Sequence, residues 1–177
     1  ASGQFPIECI RTMHEIVIEV EKNPTLYNHL EFDAEAREIP DCIAASSVLA
    51  ASMVEASAIV CLTTTGKTAT LISSYRPEAK LYAATQVHET LNRILLAWGI
   101  HSFALKPYKS SEEAFLQMET LLLRNGLIRK GDTIVFTLGS PVKENAKTNA
   151  LKIHKVTLDV PPCESTKLPL RCQWPAD

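Results

Sequence analysis

The sequence predicts a three-layer α/β/α fold with a mostly parallel five-stranded sheet and a final edge strand that we expect to be antiparallel. Two observations predict it. From residue 58 to residue 138, short apolar β-prone runs alternate with segments of helical pattern, which is typical of right-handed βαβ units. The run at 58–62 is apolar throughout, without polar alternation, as expected for a strand buried on both faces.

The individual elements follow from the same pattern and from turn residues between them. Asn125-Gly126 predicts a helix stop, and Lys130-Gly131-Asp132 predicts a tight turn before a strand. The segment after residue 39 is rich in alanine and serine, which allows a helix to pack closely on a sheet. The predicted helices are 39–56, 66–75, 89–98 and 111–124, and the predicted strands are 58–62, 80–85, 101–105, 132–138 and 148–156.

The chain opens with a separate amphipathic helix. Pro6 suits the first helical position, and Glu8 suits the positive end of the helix dipole. Apolar residues recur every three or four positions and form one stripe: Ile7, Ile10, Met13, Ile16, Val17 and Val20. Asn23-Pro24 ends the helix. The stripe requires a packing partner that the helix itself does not supply.

Composition excludes several classes of protein. The 177 residues suffice for one compact domain with short appendages, and a net charge of −2 gives no basic surface for nucleic acid. The five cysteines are scattered, without the paired spacing of a zinc site, which favours reduced thiols. No apolar run approaches the roughly 20 residues that cross a bilayer. We therefore expect a cytoplasmic protein that binds neither membrane nor nucleic acid.

The segment that carries chemistry lies directly after the first predicted strand. It comprises Thr63, Thr64, Thr65, Gly66, Lys67 and Thr68, and it opens a helix. At such a strand-to-helix turn, free backbone N–H groups and the positive end of the helix dipole face the same crevice. Threonine hydroxyls can donate to phosphate oxygens, glycine permits close backbone approach, and lysine adds a charge. The segment predicts a phosphate-binding loop.

Two other interpretations of this loop stay open at the level of sequence. A nucleotide-binding P-loop requires glycine five residues before the Gly-Lys-Thr, where this chain has Cys61. Alternatively, the threonines only cap the helix and complete the turn. Capping needs one hydroxyl, whereas the loop supplies four.

The order and spacing of several motifs resemble the C-terminal domain of pyruvate kinase. They are the threonine loop, Tyr75-Arg76-Pro77, Ala84-Thr85, Arg93, Trp98-Gly99, Lys130-Gly131-Asp132, Gly139-Ser140-Pro141 and Thr148-Asn149. The start of the chain resembles the last helix of that enzyme's catalytic barrel. The resemblance implies that residues 1–32 are this helix with a linker and that residues 33–157 are the α/β domain. The proline content of residues 158–177 predicts an irregular tail, to which the resemblance does not extend.

The resemblance implies a regulatory role without catalytic residues. In the family, the threonine loop holds a phosphate of an allosteric activator, often fructose 1,6-bisphosphate, and a later loop closes over it. That role falls here on residues 63–68 and on Gly139, Ser140, Lys143 and Lys147. The tryptophan and arginine frequent in the later loop of fructose-bisphosphate-responsive members are absent, so a monophosphate sugar or a nucleotide monophosphate fits at least as well.

The resemblance also implies partners and cofactors. The barrel of the parent enzyme carries the phosphoryl-transfer residues and the magnesium and potassium sites, so we expect none of these in this chain. The parent is expected to be a homotetramer in which this domain makes part of the subunit contact. Two other hypotheses are a self-sufficient phosphate- or nucleotide-binding domain or small enzyme that uses the same loop, and a purely structural assembly module.

Overall fold

The computed structural model describes residues 3–27, 38–140 and 147–160. Its helices are α1 (Pro6–Val20), α2 (Ile39–Met53), α3 (Lys67–Ser74), α4 (His88–Ile94) and α5 (Ser111–Arg124), with a short 3-10 helix at Pro24–Leu26. Its strands are β1 (Ala58–Leu62), β2 (Lys80–Thr85), β3 (Ile100–Ala104), β4 (Thr133–Leu138) and β5 (Ala150–Lys155). None of the helices in these ranges is both long and apolar enough to span a membrane.

The five strands form one sheet in the order β3-β2-β1-β4-β5. β1 pairs in parallel with both β2 and β4, and β2 pairs in parallel with β3. β5 runs antiparallel to β4, with Thr133 opposite Lys155 and Leu138 opposite Ala150. The predicted parallel sheet with an antiparallel edge strand is confirmed.

Apolar packing on both faces of the sheet produces the three layers. On one face, Val60 and Phe136 pack with the buried side of α5, including Met118 and Leu122. On the other face, Ile59 packs with apolar residues of α2, α3 and α4. All five residues of β1 are buried, as the unbroken apolar run predicts for a central strand.

Two predicted helix ends are wrong. The helix predicted for 39–56 ends at Met53, because the chain turns through Glu55, whose φ is +49°. The helix predicted for 89–98 ends at Ile94, and the chain then turns through Gly99 at φ +66° into β3. In that turn the backbone carbonyl of Trp98 accepts a hydrogen bond of 2.6 Å from the hydroxyl of Ser73.

Trp98 joins the α/β domain to the segment after α1. Its indole N–H donates to Glu21 Oε1 at 2.6 Å, its ring lies 5.9 Å from that of Tyr27, and the guanidinium of Arg76 lies 4.9 Å from the ring centroid. The side chain is half-buried at this junction. α1 itself has no buried residue, so the predicted apolar stripe is exposed.

Candidate phosphate-binding site

A cleft of about 790 Å³ lies at the carboxyl ends of β1, β2 and β4. The sheet order changes direction between β1 and β4, and open α/β sheets bind ligands in the crevice at such a switch point. The predicted loop residues Thr63, Thr64, Thr65, Lys67 and Thr68 line one wall. Residues from the start of α2 and from the loops after β2, β3 and β4 line the rest, among them Glu38, Asp41, Gln86, Tyr108, Gly139, Lys147 and Thr148.

Gly66 makes the turn that connects β1 to α3. Its φ is +78°, a left-handed conformation that glycine adopts without the steric cost of a Cβ atom. A Cβ atom at this position would lie 2.4 Å from Cγ2 of Ile94 on α4. The amide of Gly66 donates to Thr63 Oγ1 at 2.8 Å, which closes the turn. Glycine is therefore required here by both backbone conformation and close packing.

Two carbonyl groups of the loop, those of Thr64 and Thr65, bond to side chains of α4. The hydroxyl of Thr90 donates to the carbonyl oxygen of Thr64 at 2.9 Å, and the guanidinium of Arg93 donates to that of Thr65. Neither Thr90 nor Arg93 lines the cleft. These contacts occupy the acceptors on the outer side of the loop.

The amide groups of the loop remain available as donors. Within the described ranges, the amides of Thr64, Thr65 and Lys67 donate to no protein acceptor, and no side chain caps the start of α3. No threonine side chain therefore caps α3, although the hydroxyl of Thr63 does complete the turn before it. Free N–H groups at a helix start, together with the positive end of the helix dipole, favour an anion.

The side chains of the loop divide into two groups. Those of Thr64, Thr65 and Lys67 are exposed at the cleft. Thr68 is only 5% exposed, and its hydroxyl forms a hydrogen bond of 2.7 Å with the hydroxyl of the buried Thr148. Thr68 thus shares its hydroxyl with β4–β5 loop residues, whereas the sequence had indicated four equivalent threonine donors.

The opposite wall comes from the later loop identified in the sequence. Gly139 and Lys147 line the cleft, and the ammonium of Lys147 lies 3.1 Å from Oε2 of Glu38. Ser140 does not line it: its backbone N–H and carbonyl bond to the side-chain amide of Asn149 at 2.8 and 2.6 Å. The predicted residue Lys143 lies outside the described residues.

Sequence reasoning missed several residues of the cleft, among them four with polar side chains. Glu38 and Asp41 lie at the start of α2, where Asp41 Oδ2 accepts from the amide of Glu38 at 3.0 Å. Gln86 and Tyr108 follow β2 and β3, and burial raises the pKa of the Tyr108 phenol. Gln86 and Tyr108 could have been found from the sequence, because each follows a predicted parallel strand and therefore lies at the same sheet edge as the threonine loop.

Metal-ligating side chains do not cluster in the part of the chain that the structure describes. No group of three or more histidine, cysteine, aspartate or glutamate side chains there could hold an ion. The donors that do converge on the cleft are hydroxyls, amides and one free lysine, a set suited to an anionic oxygen ligand.

Comparison with known proteins decides the family. The family model described as "Pyruvate kinase, alpha/beta domain" matches residues 41–154. The chain belongs to the pyruvate kinase family. The match contains the threonine loop, all five strands except the last residue of β5, and most of the cleft. The resemblance seen in the sequence is confirmed.

Curated pyruvate kinases match over most of this chain but over a minor part of their own length. The pyruvate kinase of Geobacillus stearothermophilus is 31% identical over 159 residues, which is 89% of this chain and 27% of that protein. That of Clostridium acetobutylicum is 33% identical over 161 residues, 88% of this chain and 33% of that protein. The chain thus spans about a third or less of the length of these relatives.

Solved pyruvate kinase structures share the fold. A crystal structure of Cryptosporidium parvum pyruvate kinase is 31% identical, with a TM-score of 0.63, over 69% of this chain and 23% of that one. The same organism's enzyme in complex with ADP is 30% identical, with a TM-score of 0.64, over 70% of this chain and 25% of that one. The α/β fold described above is that of a pyruvate kinase domain.

Proposed function

We propose that this chain is the regulatory and subunit-contact domain of a pyruvate kinase and binds a phosphorylated effector in the cleft beside the threonine loop. The observation that carries the proposal is the loop itself: the carbonyls of Thr64 and Thr65 bond to α4, while the exposed side chains of Thr64, Thr65 and Lys67 line the cleft. The amides of the same three residues donate to no protein acceptor within the described ranges. The matched pyruvate kinase α/β domain contains this loop, and the resemblance to that domain supports the proposal of effector binding.

Electrostatics at the threonine loop favour a phosphate over a neutral ligand, although the acidic residues Glu38 and Asp41 line another part of the cleft. Lys67 is exposed at the start of α3, where the helix dipole has its positive end. Hydrogen bonds to a charged group each contribute roughly 1.5–3 kcal/mol, against about 1 kcal/mol for neutral pairs. Several such donors that converge on one anion therefore discriminate strongly for a phosphoryl group.

The size of the cleft suits a whole metabolite. A volume of about 790 Å³ lies within the range of small-molecule sites, which is roughly 300–1,000 Å³. The walls away from the threonine loop carry Glu38, Asp41, Gln86 and Tyr108, which can bond to sugar hydroxyls or to a base. We therefore propose a sugar phosphate or a nucleotide monophosphate as the ligand.

The exposed stripe of α1 supports a second part of the proposal. Ile7, Ile10 and Met13 are 56–69% exposed, and an amphipathic helix is stable when its apolar face is covered. We propose that the catalytic barrel of the parent enzyme covers it. That barrel would transfer phosphate from phosphoenolpyruvate to ADP in glycolysis, with magnesium and potassium, in a cytoplasmic homotetramer.

Calorimetry on the 177-residue chain tests effector binding. The probes are inorganic phosphate, fructose 1,6-bisphosphate, glucose 6-phosphate and adenosine monophosphate. Replacing Thr65 by valine removes one donor to a charged ligand, and we expect affinity for the binding probe to fall by about tenfold or more. Thr157→Val is the matched control, because Thr157 is exposed and does not line the cleft.

The outcomes separate the candidate functions. If the chain binds one of the probes and Thr65→Val weakens that binding, the result supports the effector site. Turnover of a probe by the isolated chain would instead favour a small enzyme. If none of the four probes binds, and Thr65→Val leaves activation of the full-length enzyme unchanged, the regulatory proposal is wrong and a structural module remains.

A further inference from the structure

We propose that Thr90 and Arg93 of α4 are positioning residues of the phosphate site: they orient the peptide groups of the threonine loop so that its donors face the ligand. The inference rests on the proposed function, because it concerns how the same loop recognises a phosphate. Thr90 and Arg93 lie behind the loop and outside the cleft, so their effect on a ligand must pass through residues 63–66.

The first orienting contact comes from Thr90. Its hydroxyl donates to the carbonyl oxygen of Thr64 at 2.9 Å. In a planar trans peptide group the carbonyl and the following N–H point in opposite directions. Because the carbonyl of Thr64 points to α4, the N–H of Thr65 points away from α4. Thr90 therefore turns the amide of Thr65 into a donor for the ligand.

The second contact comes from Arg93 and acts one peptide group later. Its guanidinium donates to the carbonyl of Thr65, so the N–H of Gly66 points the other way, where it donates to Thr63 Oγ1 at 2.8 Å. With its oxygen accepting from Gly66, the hydroxyl of Thr63 keeps its hydrogen for another acceptor. Arg93 therefore orients Thr63, which lines the cleft, as a donor to a phosphate oxygen.

The helix that carries both residues is well anchored. Leu91 is fully buried, and Ile94, which is 2% exposed, belongs to the apolar core that includes Ile59 of the sheet. Thr90 itself is 4% exposed, and the close approach of Ile94 to Gly66 fixes the distance between α4 and the loop. Donors on such a packed helix hold the loop peptides in one orientation before a ligand arrives, which lowers the entropic cost of binding.

Variants of Thr90 test the first contact. Thr90→Val keeps the shape and removes the donor, whereas Thr90→Ser keeps the donor. We expect Thr90→Val to weaken binding of the phosphorylated probe that the wild-type chain binds by about two- to tenfold, and Thr90→Ser to restore it. Calorimetry gives the affinities, and hydrogen exchange should show ligand protection of the Thr65 amide in the wild type and in Thr90→Ser but not in Thr90→Val.

Variants of Arg93 provide an independent test that does not disturb the core, because Arg93 is exposed. We expect Arg93→Gln to weaken binding of the same probe by a similar factor. Arg124→Gln is the matched control: Arg124 is an exposed arginine on α5 that does not line the cleft, and its replacement should leave affinity unchanged.

The result that overturns this inference differs from the one that overturns the proposed function. If the wild-type chain binds one of the probes and both Thr90→Val and Arg93→Gln bind it with unchanged affinity, the positioning role is wrong although the site is real. A Thr90→Val chain that is less stable but binds equally well shows a structural role alone. If the wild type binds no probe, the proposed function fails first.

Discussion

Replacing Gly66 by alanine tests whether the close approach of α4 to the threonine loop is real. A residue with a Cβ atom in the left-handed conformation costs roughly 1–2 kcal/mol, and Gly66 has φ +78°. The new Cβ would also lie 2.4 Å from Ile94 Cγ2, and relief of such overpacking typically costs about 1–3 kcal/mol. Ile94 is buried and cannot move freely. We expect Gly66→Ala to lower the free energy of unfolding by about 2–5 kcal/mol.

Gly126→Ala separates the two contributions. Gly126 also has a positive φ, +66°, but a Cβ there would meet no atom within 4 Å. Urea unfolding of both variants should show a loss of about 1–2 kcal/mol for Gly126→Ala and a clearly larger loss for Gly66→Ala. Equal losses would refute the packing argument, because they would leave only the backbone cost at both positions.

Two further predictions concern titratable groups. Burial raises the pKa of the Cys61 thiol to about 12, so alkylation of the folded chain at pH 8 should modify the exposed Cys9 and Cys42 and spare Cys61, as peptide mapping can check; rapid labelling of Cys61 would contradict its burial. Burial, and secondarily the charge of Lys80, lowers the pKa of His101 below 6.5. Its unfolded form therefore binds more protons, so the free energy of unfolding should fall as pH drops below about 6.5, less steeply in His101→Gln. If the free energy of unfolding depends on pH equally in the wild type and in His101→Gln, the lowered pKa of His101 is contradicted.

The sheet was predictable because its strands are buried on both faces. Predicted and observed bounds agree for β1 and β2, and for α5, whose amphipathic pattern starts after Ser110. The side chain of Ser110 caps α5 by accepting from the amide of Glu113 at 3.2 Å. Signals of this kind depend on a few consecutive residues, so they can be recognised without the tertiary structure.

The ends of α2 and α4 were not predictable in the same way. α4 stops at Ile94 although the apolar pattern continues to Trp98. The turn is stabilised by contacts distant in sequence: Ser73 bonds to the carbonyl of Trp98, and Glu21 accepts from its indole. Tertiary contacts that satisfy backbone groups override local helical preference.

The candidate site shows the same division. The threonine loop and the glycine turn were visible in the sequence, as were Gly139 and Lys147 from the resemblance to pyruvate kinase. The hydrogen bonds from Thr90 and Arg93 to the loop carbonyls were not, since these two residues are more than twenty positions away from the loop. The pairing of Thr68 with Thr148, 80 residues apart, was equally hidden.

The sequence by itself determined the fold class, the family and the position of the loop, because hydrophobic period, turn residues and motif order are local properties of the chain. Only the tertiary structure decided which threonine side chains are exposed at the cleft. It also decided that Glu119 is buried, at 5% exposure, with its Oε2 3.0 Å from Nε2 of His154. Burial and hydrogen-bond partners depend on which distant segments the fold brings together. For this protein, residue type therefore predicted where the proposed phosphate site lies, whereas packing decided the hydrogen-bond partners of its residues.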